Sequence, residues 1–342
     1  MLEPLGFAPS LPAHVCQRAL DARDARFDGL FFVGIVTTGI YCRPTCPSRR
    51  AMPDHRRFFN SAAAAESSGF RPCLRCRPEL APGRTMIHAV SRLAQAAAYR
   101  IGAGALNGRS VADLAAELGV SERHLRRALR RELGVSPVEL AQTHRLLLAK
   151  RLLAETALSV TDIAFASGFE SLRRFHFVCH ERYGMSPSAL RRPLPKGARR
   201  TASDLLHMTL AYRPPLAWDV LTAFLADNAT PGVEIVEGRR YGRTVRLDGR
   251  TGVVFVEDSP AEAHLKVDIS PSLLPVLMPL LARLRQLFDL DANVVKSSHR
   301  FLQTSGLIAV FLSAEGRPKT SRSRRFRPPL PRSRRRRARC YP

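Results

Sequence analysis

Four cysteines constrain this chain more than any other feature. Cys42-x3-Cys46 is followed, after 26 intervening residues, by Cys73-x2-Cys76. Two close pairs at that separation suit a tetrahedral zinc ion: each pair spans one edge, and the chain between them folds back to deliver the second pair. Whatever the N-terminal region folds into must bring these two loops within bonding distance of one ion. A purely structural zinc knuckle is the plain alternative, since most sites of this type hold a fold together. The chain has seven cysteines. The stretch Met1–Leu20 mixes Pro, Glu, His and Arg and does not resemble a secretory signal. Thiols and metal ligands, not disulfides, are therefore expected, in a cytoplasmic, nucleoid-associated protein.

The charge balance narrows the choice of partner. Lys and Arg total 54 against 29 Asp and Glu, a net charge of +25 over 342 residues. A surplus of that size calls for an anionic partner. The stretch from Arg317 onward carries 12 of those cations and no acid, yet the remainder still stands at about +13. No run approaches the ~20 apolar residues of a membrane span. The best candidate, Ser272–Ala282, is interrupted by Pro275 and Pro279. Nucleic acid is the expected partner, and no membrane is.

The residues around the cysteines point further. Thr37-Thr38-Gly-Ile-Tyr-Cys42-Arg-Pro-Thr-Cys46 and Gly69-Phe-Arg-Pro-Cys73-Leu-Arg-Cys76, with Phe27-Asp-Gly and Arg57-Phe-Phe, resemble the zinc domain of the Ada family over Asp24–Pro78. That family removes methyl groups from DNA phosphotriesters. The resemblance implies that Cys42 is the methyl acceptor and also a zinc ligand with Cys46, Cys73 and Cys76. It implies that Arg49 and Arg71 contact DNA phosphates and that Thr38 lies near the accepting sulfur. The chemistry is consistent: a thiolate is the nucleophile, zinc keeps it deprotonated, and four thiolates on one Zn2+ leave excess negative charge on sulfur. A methyl phosphotriester lacks the charge of an ordinary phosphate and can approach such a cluster. Arg43, Arg50, Arg56 and Arg57 are expected to extend the basic rim, with Arg56 and Arg57 read as solvated surface charges. Thr38 can equally be a turn hydroxyl.

A duplicated segment dominates the middle. Ser110-Val-Ala-Asp-Leu-Ala-Ala-Glu-Leu-Gly119 matches Ser159-Val-Thr-Asp-Ile-Ala-Phe-Ala-Ser-Gly168, and the units close on Gly134-Val-Ser-Pro137 and Gly184-Met-Ser-Pro187. Each reads as a helix-turn-helix: Val111–Leu118 then Glu122–Glu132, and Val160–Ser167 then Ser171–Arg182, joined by a helix over Pro137–Glu155. The first recognition helix presents Arg123, His124, Arg126, Arg127, Arg130 and Arg131. The second presents Arg173, Arg174 and His176, with Leu125, Leu129, Leu172, Phe175 and Val178 as apolar backing. The region resembles the AraC family over Met86–Arg192, on Asp162-Ile-Ala, Gly168-Phe, Arg174-Phe and Tyr183-Gly-Met-Ser-Pro187. Two such units on one chain can enter successive major grooves about 34 Å apart, so a monomer suffices for specific binding. Cys179-His180 lies inside the second recognition helix, flanked by Val178 and Glu181, and reads as a buried helix position.

After a linker at Pro193-Leu-Pro-Lys-Gly-Ala-Arg-Arg, the pattern changes to strands at Leu206–Tyr212, Val233–Glu237, Tyr241–Arg246, Val253–Glu257 and Leu265–Ile269. Helices are expected at Trp218–Asn228 and Leu273–Leu287, the latter kinked at Pro279. Leu210-Ala-Tyr-Arg-Pro-Pro-Leu-Ala-Trp218, Gly232-Val-Glu, Tyr241-Gly-Arg and Leu287-Phe-Asp-Leu290 resemble the N-terminal domain of the AlkA family of DNA glycosylases. That family's catalytic aspartate lies in a later helix-hairpin-helix domain. The last Asp here is Asp291, so glycosylase activity is not expected, and a frameshift or truncation near residue 291 accounts for the arginine-rich ending.

The sequence thus predicts a multidomain α+β chain. A small zinc-bound α/β domain spans 15–82, and an all-α tandem helix-turn-helix domain spans 85–193. An α+β antiparallel-sheet domain follows at 205–290, then a disordered basic tail at 291–342 that can be out of frame. The expected function is single-turnover repair of DNA methylphosphotriesters at Cys42, coupled to promoter activation, with Zn2+ as cofactor and double-stranded DNA and RNA polymerase as partners. Two alternatives stay open: a zinc-containing transcription factor without transfer activity, and a 3-methyladenine glycosylase if the catalytic half is present.

Overall fold

In the N-terminal region, short apolar runs between turn residues make a small sheet. The chain enters through helix α1 (Ala13–Ala22), then strands β1 (Phe32–Ile35), β2 (Ile40–Cys42) and β3 (Arg56–Phe59), helix α2 (Ala62–Ser67) and strand β4 (Arg71–Pro72). A computed structural model describes residues 11–82, 92–191 and 205–291. Gly39, at φ 62°, closes the turn between β1 and β2 in a conformation that favours glycine. The strand order is β3-β1-β2-β4. Pro72 sits on the β4 edge, where its missing N–H costs no ladder bond. β2 and β4 run parallel with Tyr41 opposite Pro72. The Cys73 amide donates to the Tyr41 carbonyl at 3.0 Å. This register sets Cys42 beside Cys73. The sheet places the two cysteine loops at one end, and Ser61 caps α2 by accepting from the Ala64 amide.

The helical region follows as α3 (Arg92–Gly102), α4 (Val111–Glu117), α5 (Glu122–Leu133), α6 (Pro137–Glu155), α7 (Val160–Ala166), α8 (Leu172–Tyr183) and α9 (Pro187–Leu190). The expected helices are present, with ends displaced by one residue and α6 as expected. Serine caps set those ends. Ser110, Ser121, Ser136, Ser159, Ser171 and Ser186 each accept from a backbone amide three residues on. Ser110–Asp113 and Ser136–Glu139 form reciprocal capping boxes. Gly134 and Gly184 terminate α5 and α8 in the left-handed conformation.

The C-terminal region contains β5 (Leu206–Ala211), α10 (Trp218–Asp227), β6 (Glu234–Glu237), β7 (Arg240–Leu247), β8 (Arg250–Ser259), β9 (His264–Ile269) and α11 (Leu277–Leu287). The five-stranded antiparallel sheet has the order β5-β9-β8-β7-β6. Asp248 and Gly249, both at positive φ, form the two-residue turn between β7 and β8, as right-handed strand twist favours. One expectation fails here. No kinked helix runs from Leu273 to Leu287: Pro271–Val276 is a 3-10 helix and α11 starts at Leu277. Pro279 lies in the first turn of α11, where its amide would have no helical partner, so it does not bend the helix.

The three regions are packed together. One apolar core runs without a break from Phe169, Phe175 and Val178 of the second helix-turn-helix to Leu206, Val256 and Leu277 of the sheet domain. Tyr99 of α3 donates to Gln286 of α11 at 2.6 Å, and Arg213 donates to the Asp28 carbonyl at 2.8 Å. The linker at 193–200 and the tail beyond Asp291 lie outside the described residues.

Candidate zinc centre and nucleic-acid interface

The sulfurs of Cys42, Cys46, Cys73 and Cys76 lie within 4.8 Å of one another, and all four residues are buried. Cys42 ends β2, Cys46 follows in the turn closed by its amide on the Arg43 carbonyl, and Cys73 and Cys76 bracket the turn after β4. Tetrahedral bonds of about 2.3 Å require sulfur separations of about 3.8 Å, so the cluster fits zinc, and four thiolates are a zinc donor set. Crowding divides the protons unevenly. Hydrogen bonding from Cys42 holds Cys46 well below the usual thiol range, and bonding from Cys46 pushes Cys42 well above it. A cation removes that conflict, because every sulfur can then ionise.

The four sulfurs are not equivalent. Cys76 accepts from the Arg43 amide at 3.4 Å, and Cys73 accepts from the Arg75 amide at 3.4 Å. A hydrogen bond withdraws electron density from a thiolate, so these amides lower the nucleophilicity of Cys73 and Cys76. Cys16 and Cys179 are a different kind of thiol. Both are buried in apolar surroundings, and burial pushes them up to about 11 and about 12. Cys179 is the buried helix position expected from sequence, 1% exposed.

The basic residues around the centre divide into three groups. Arg49, Arg50 and Arg57 are exposed, and Arg71 is half-buried on β4. Arg43 does not belong to a rim: its guanidinium pairs with the buried carboxylate of Asp28 and donates to the Cys76 carbonyl at 3.3 Å. Arg56 is not a solvated charge either. Its side chain is 6% exposed, donates to the Ala51 carbonyl at 2.8 Å and bonds Asp21 at 3.0 Å. Both take acidic partners distant in sequence, Asp28 and Asp21, and local composition does not reveal such pairs. Thr38 is exposed, and its hydroxyl donates to the Ile35 carbonyl at 3.4 Å, the turn role allowed for it.

In the helix-turn-helix units, Arg123, His124, Arg126, Arg127, Arg130 and Arg131 are exposed along α5, while Leu125 and Leu129 are fully buried behind them. Arg126 pairs with Glu122 one turn away, and Arg131 pairs with Glu132. On α8, Arg173, Arg174 and His176 are exposed, and Phe175 and Val178 are buried. The two cationic faces are therefore available to an anionic duplex.

Sequence reasoning missed the seam joining the zinc region to α6. Lys150 donates to the Cys73 carbonyl at 3.3 Å and pairs with Glu79, their side chains 4% and 1% exposed. Arg77 bridges Glu79 and Glu155. Glu66 of α2 accepts from Tyr41 at 3.0 Å and from Thr143 of α6 at 2.8 Å. Asn60 donates to the Glu132 carbonyl at 3.3 Å and Ser61 to the Leu133 carbonyl at 3.4 Å, satisfying the C-terminal end of α5. Two adjacent cations flanked by apolar residues, Lys150 and Arg151 between Ala149 and Leu152, were the available signal.

Comparison with known proteins agrees with this layout. Residues 15–79 match the metal binding domain of Ada, residues 114–193 a helix-turn-helix domain, and residues 207–317 the AlkA N-terminal domain. The last match runs past the boundary expected near residue 290. The matched region ends at Arg317, where the arginine-rich run begins. The chain is 39% identical over 280 residues to the "Probable bifunctional transcriptional activator/DNA repair enzyme AlkA" of Mycobacterium tuberculosis, covering 81% of this chain and 56% of that protein. It is 31% identical over 170 residues to the bifunctional transcriptional activator/DNA repair enzyme Ada of Escherichia coli, covering 50% of this chain and 46% of that protein. Among solved structures, Escherichia coli Ada in complex with DNA matches at 29% identity and a TM-score of 0.19, covering 43% of this chain and 99% of that one. The chain spans about half the length of the curated relatives it matches. The four-cysteine centre, the tandem cationic helices and the antiparallel sheet match, in order, the metal binding domain of Ada, a helix-turn-helix domain and the AlkA N-terminal domain.

Proposed function

We propose that this protein takes a methyl group from a DNA methylphosphotriester onto Cys42, once, and then binds promoter DNA more tightly as an activator of alkylation-response genes. The observation that carries the reading is the buried four-cysteine cluster within the region that matches the metal binding domain of Ada. Cys73 and Cys76 each accept a backbone amide, which lowers their nucleophilicity, and Cys42 is the position that the Ada resemblance assigns as acceptor. Zinc, when bound, keeps the sulfurs ionised at neutral pH. The Cys42 sulfur lone pair attacks the methyl carbon, an S–C bond forms, and the C–O bond breaks. The electron pair leaves on the phosphate oxygen, which becomes an ordinary diester anion. Arg49 and Arg71 hold the flanking phosphates, which the negative cluster would otherwise repel.

S-methylcysteine does not turn over. Its formation removes one negative charge from the centre, so repulsion toward the DNA backbone falls and affinity rises. The paired recognition helices enter successive major grooves, so the chain binds as a monomer and meets RNA polymerase on the DNA. The test is to incubate zinc-loaded protein with duplex DNA carrying methylphosphotriesters, followed by peptide mapping. The expected result is a gain of about 14 Da, a methyl group in place of the thiol proton, on the Cys42 peptide. No gain, or a gain on another cysteine, refutes the assignment and leaves a zinc-containing transcription factor.

A further inference from the structure

The two recognition helices are copies in backbone but not in surface. Aligned on their caps Ser121 and Ser171, the position of Arg127 on α5 is taken by Phe177 on α8. Phe177 is 56% exposed on a helix whose other outward residues are polar. It is not isolated: the Arg174 guanidinium lies over its ring, 5.3 Å from the centroid. Arg174 is in the first turn of α8, its amide bonded to Ser171 at 3.2 Å, and the first turn is where recognition helices meet base edges.

Spacing indicates what the pair reads. Residues three apart share a helix face and are displaced about 4.5 Å along the axis. Base pairs are stacked about 3.4 Å apart, so two such side chains reach neighbouring base pairs. In the major groove, an apolar ring has one complementary partner on a base edge, the thymine methyl, and a planar guanidinium suits guanine O6 and N7. Stacking on the ring restricts Arg174 before DNA arrives, so less rotamer freedom is lost on binding. On α5, by contrast, Arg127 holds the position of Phe177, Arg126 and Arg131 are paired with Glu122 and Glu132, and no Phe, Tyr or Trp offers a thymine methyl a partner.

We infer that Phe177 and Arg174 form a two-residue reader for a thymine adjacent to a guanine, and that the second helix-turn-helix supplies base discrimination while the first supplies mainly backbone affinity. The inference rests on the promoter-binding reading above and names the sequence element that reading requires.

The experiment selects binding sites from a random duplex library with the full zinc-loaded chain, then replaces single thymines of the enriched site by deoxyuridine, which lacks only the methyl. The expected result is an enriched site with thymine beside guanine, at which deoxyuridine weakens binding about fourfold, the value of one buried CH2. Phe177→Ala should bind the thymine and deoxyuridine duplexes equally, and Phe177→Leu should keep the thymine preference while losing selectivity at the neighbouring guanine. An enriched site at which no thymine methyl matters, or a Phe177→Ala protein that still distinguishes the two duplexes, overturns the inference and leaves promoter binding standing. Enrichment of no sequence at all overturns both.

Discussion

Replacing Lys150 by methionine tests whether the zinc region and the helix-turn-helix region are one mechanical body. Lys150→Met keeps the length and apolar stem of the side chain and deletes the ammonium. Glu79, whose side chain is 1% exposed, would then retain only Arg77, and the Cys73 carbonyl would lose its donor. Breaking a buried pair by removing one partner costs about 3–5 kcal/mol, because the remaining charge is stranded out of water. Arg77 offsets part of this, which places the expected loss near 3 kcal/mol. At a urea slope of about 1–3 kcal/mol/M, the unfolding midpoint of zinc-loaded protein, followed by circular dichroism, should fall by about 1–3 M. The companion Lys150→Met/Glu79→Leu should recover most of the loss, since removing both charges strands neither. A midpoint unchanged in the single variant, or a double variant as unstable as the single, would refute the reasoning.

Burial raises Glu66 to about 7, above the ordinary carboxyl value of 4.5, despite bonds from Thr143 and Tyr41 that favour its ionised form. The native state then holds a proton that the unfolded chain has released. This contribution to stability is present at acid pH and is lost as pH rises from about 4.5 to about 7, by up to about 1.4 kcal/mol per pH unit. Glu66→Gln should flatten that part of the stability–pH curve, and an unchanged slope would show that Glu66 is not the titrating group. Chelation of zinc should abolish hydrogen-exchange protection of β1, β2 and β4, whose cysteine loops are tied by the site, and full protection after metal removal would count against it. Arg127→Ala and Arg130→Ala should each reduce the salt dependence of DNA binding by about one unit of log–log slope, with little change in sequence preference. An unchanged slope would mean that these side chains do not neutralise phosphates.

Much of the layout could be read from the chain alone. Close cysteine pairs can serve one ion, serine caps and left-handed glycines mark helix ends, and an arginine face over leucines makes a recognition helix, because each signal lies within a few residues. The interior of the C-terminal helix was misread at Pro279 because the cost of proline depends on where the first turn begins. That start was set by the 3-10 segment Pro271–Val276 packing on the sheet. Only tertiary contact decided which arginines are interior braces. Arg43 finds Asp28 and Arg56 finds Asp21, partners 15 and 35 residues away. The same holds for Lys150 and Glu66, polar groups 71 and 77 residues from Glu79 and Thr143. The sequence determined which atoms could bind metal and DNA. The fold decided which sulfurs accept backbone amides and which charges are buried, because desolvation and hydrogen bonding depend on neighbours that chain order does not specify.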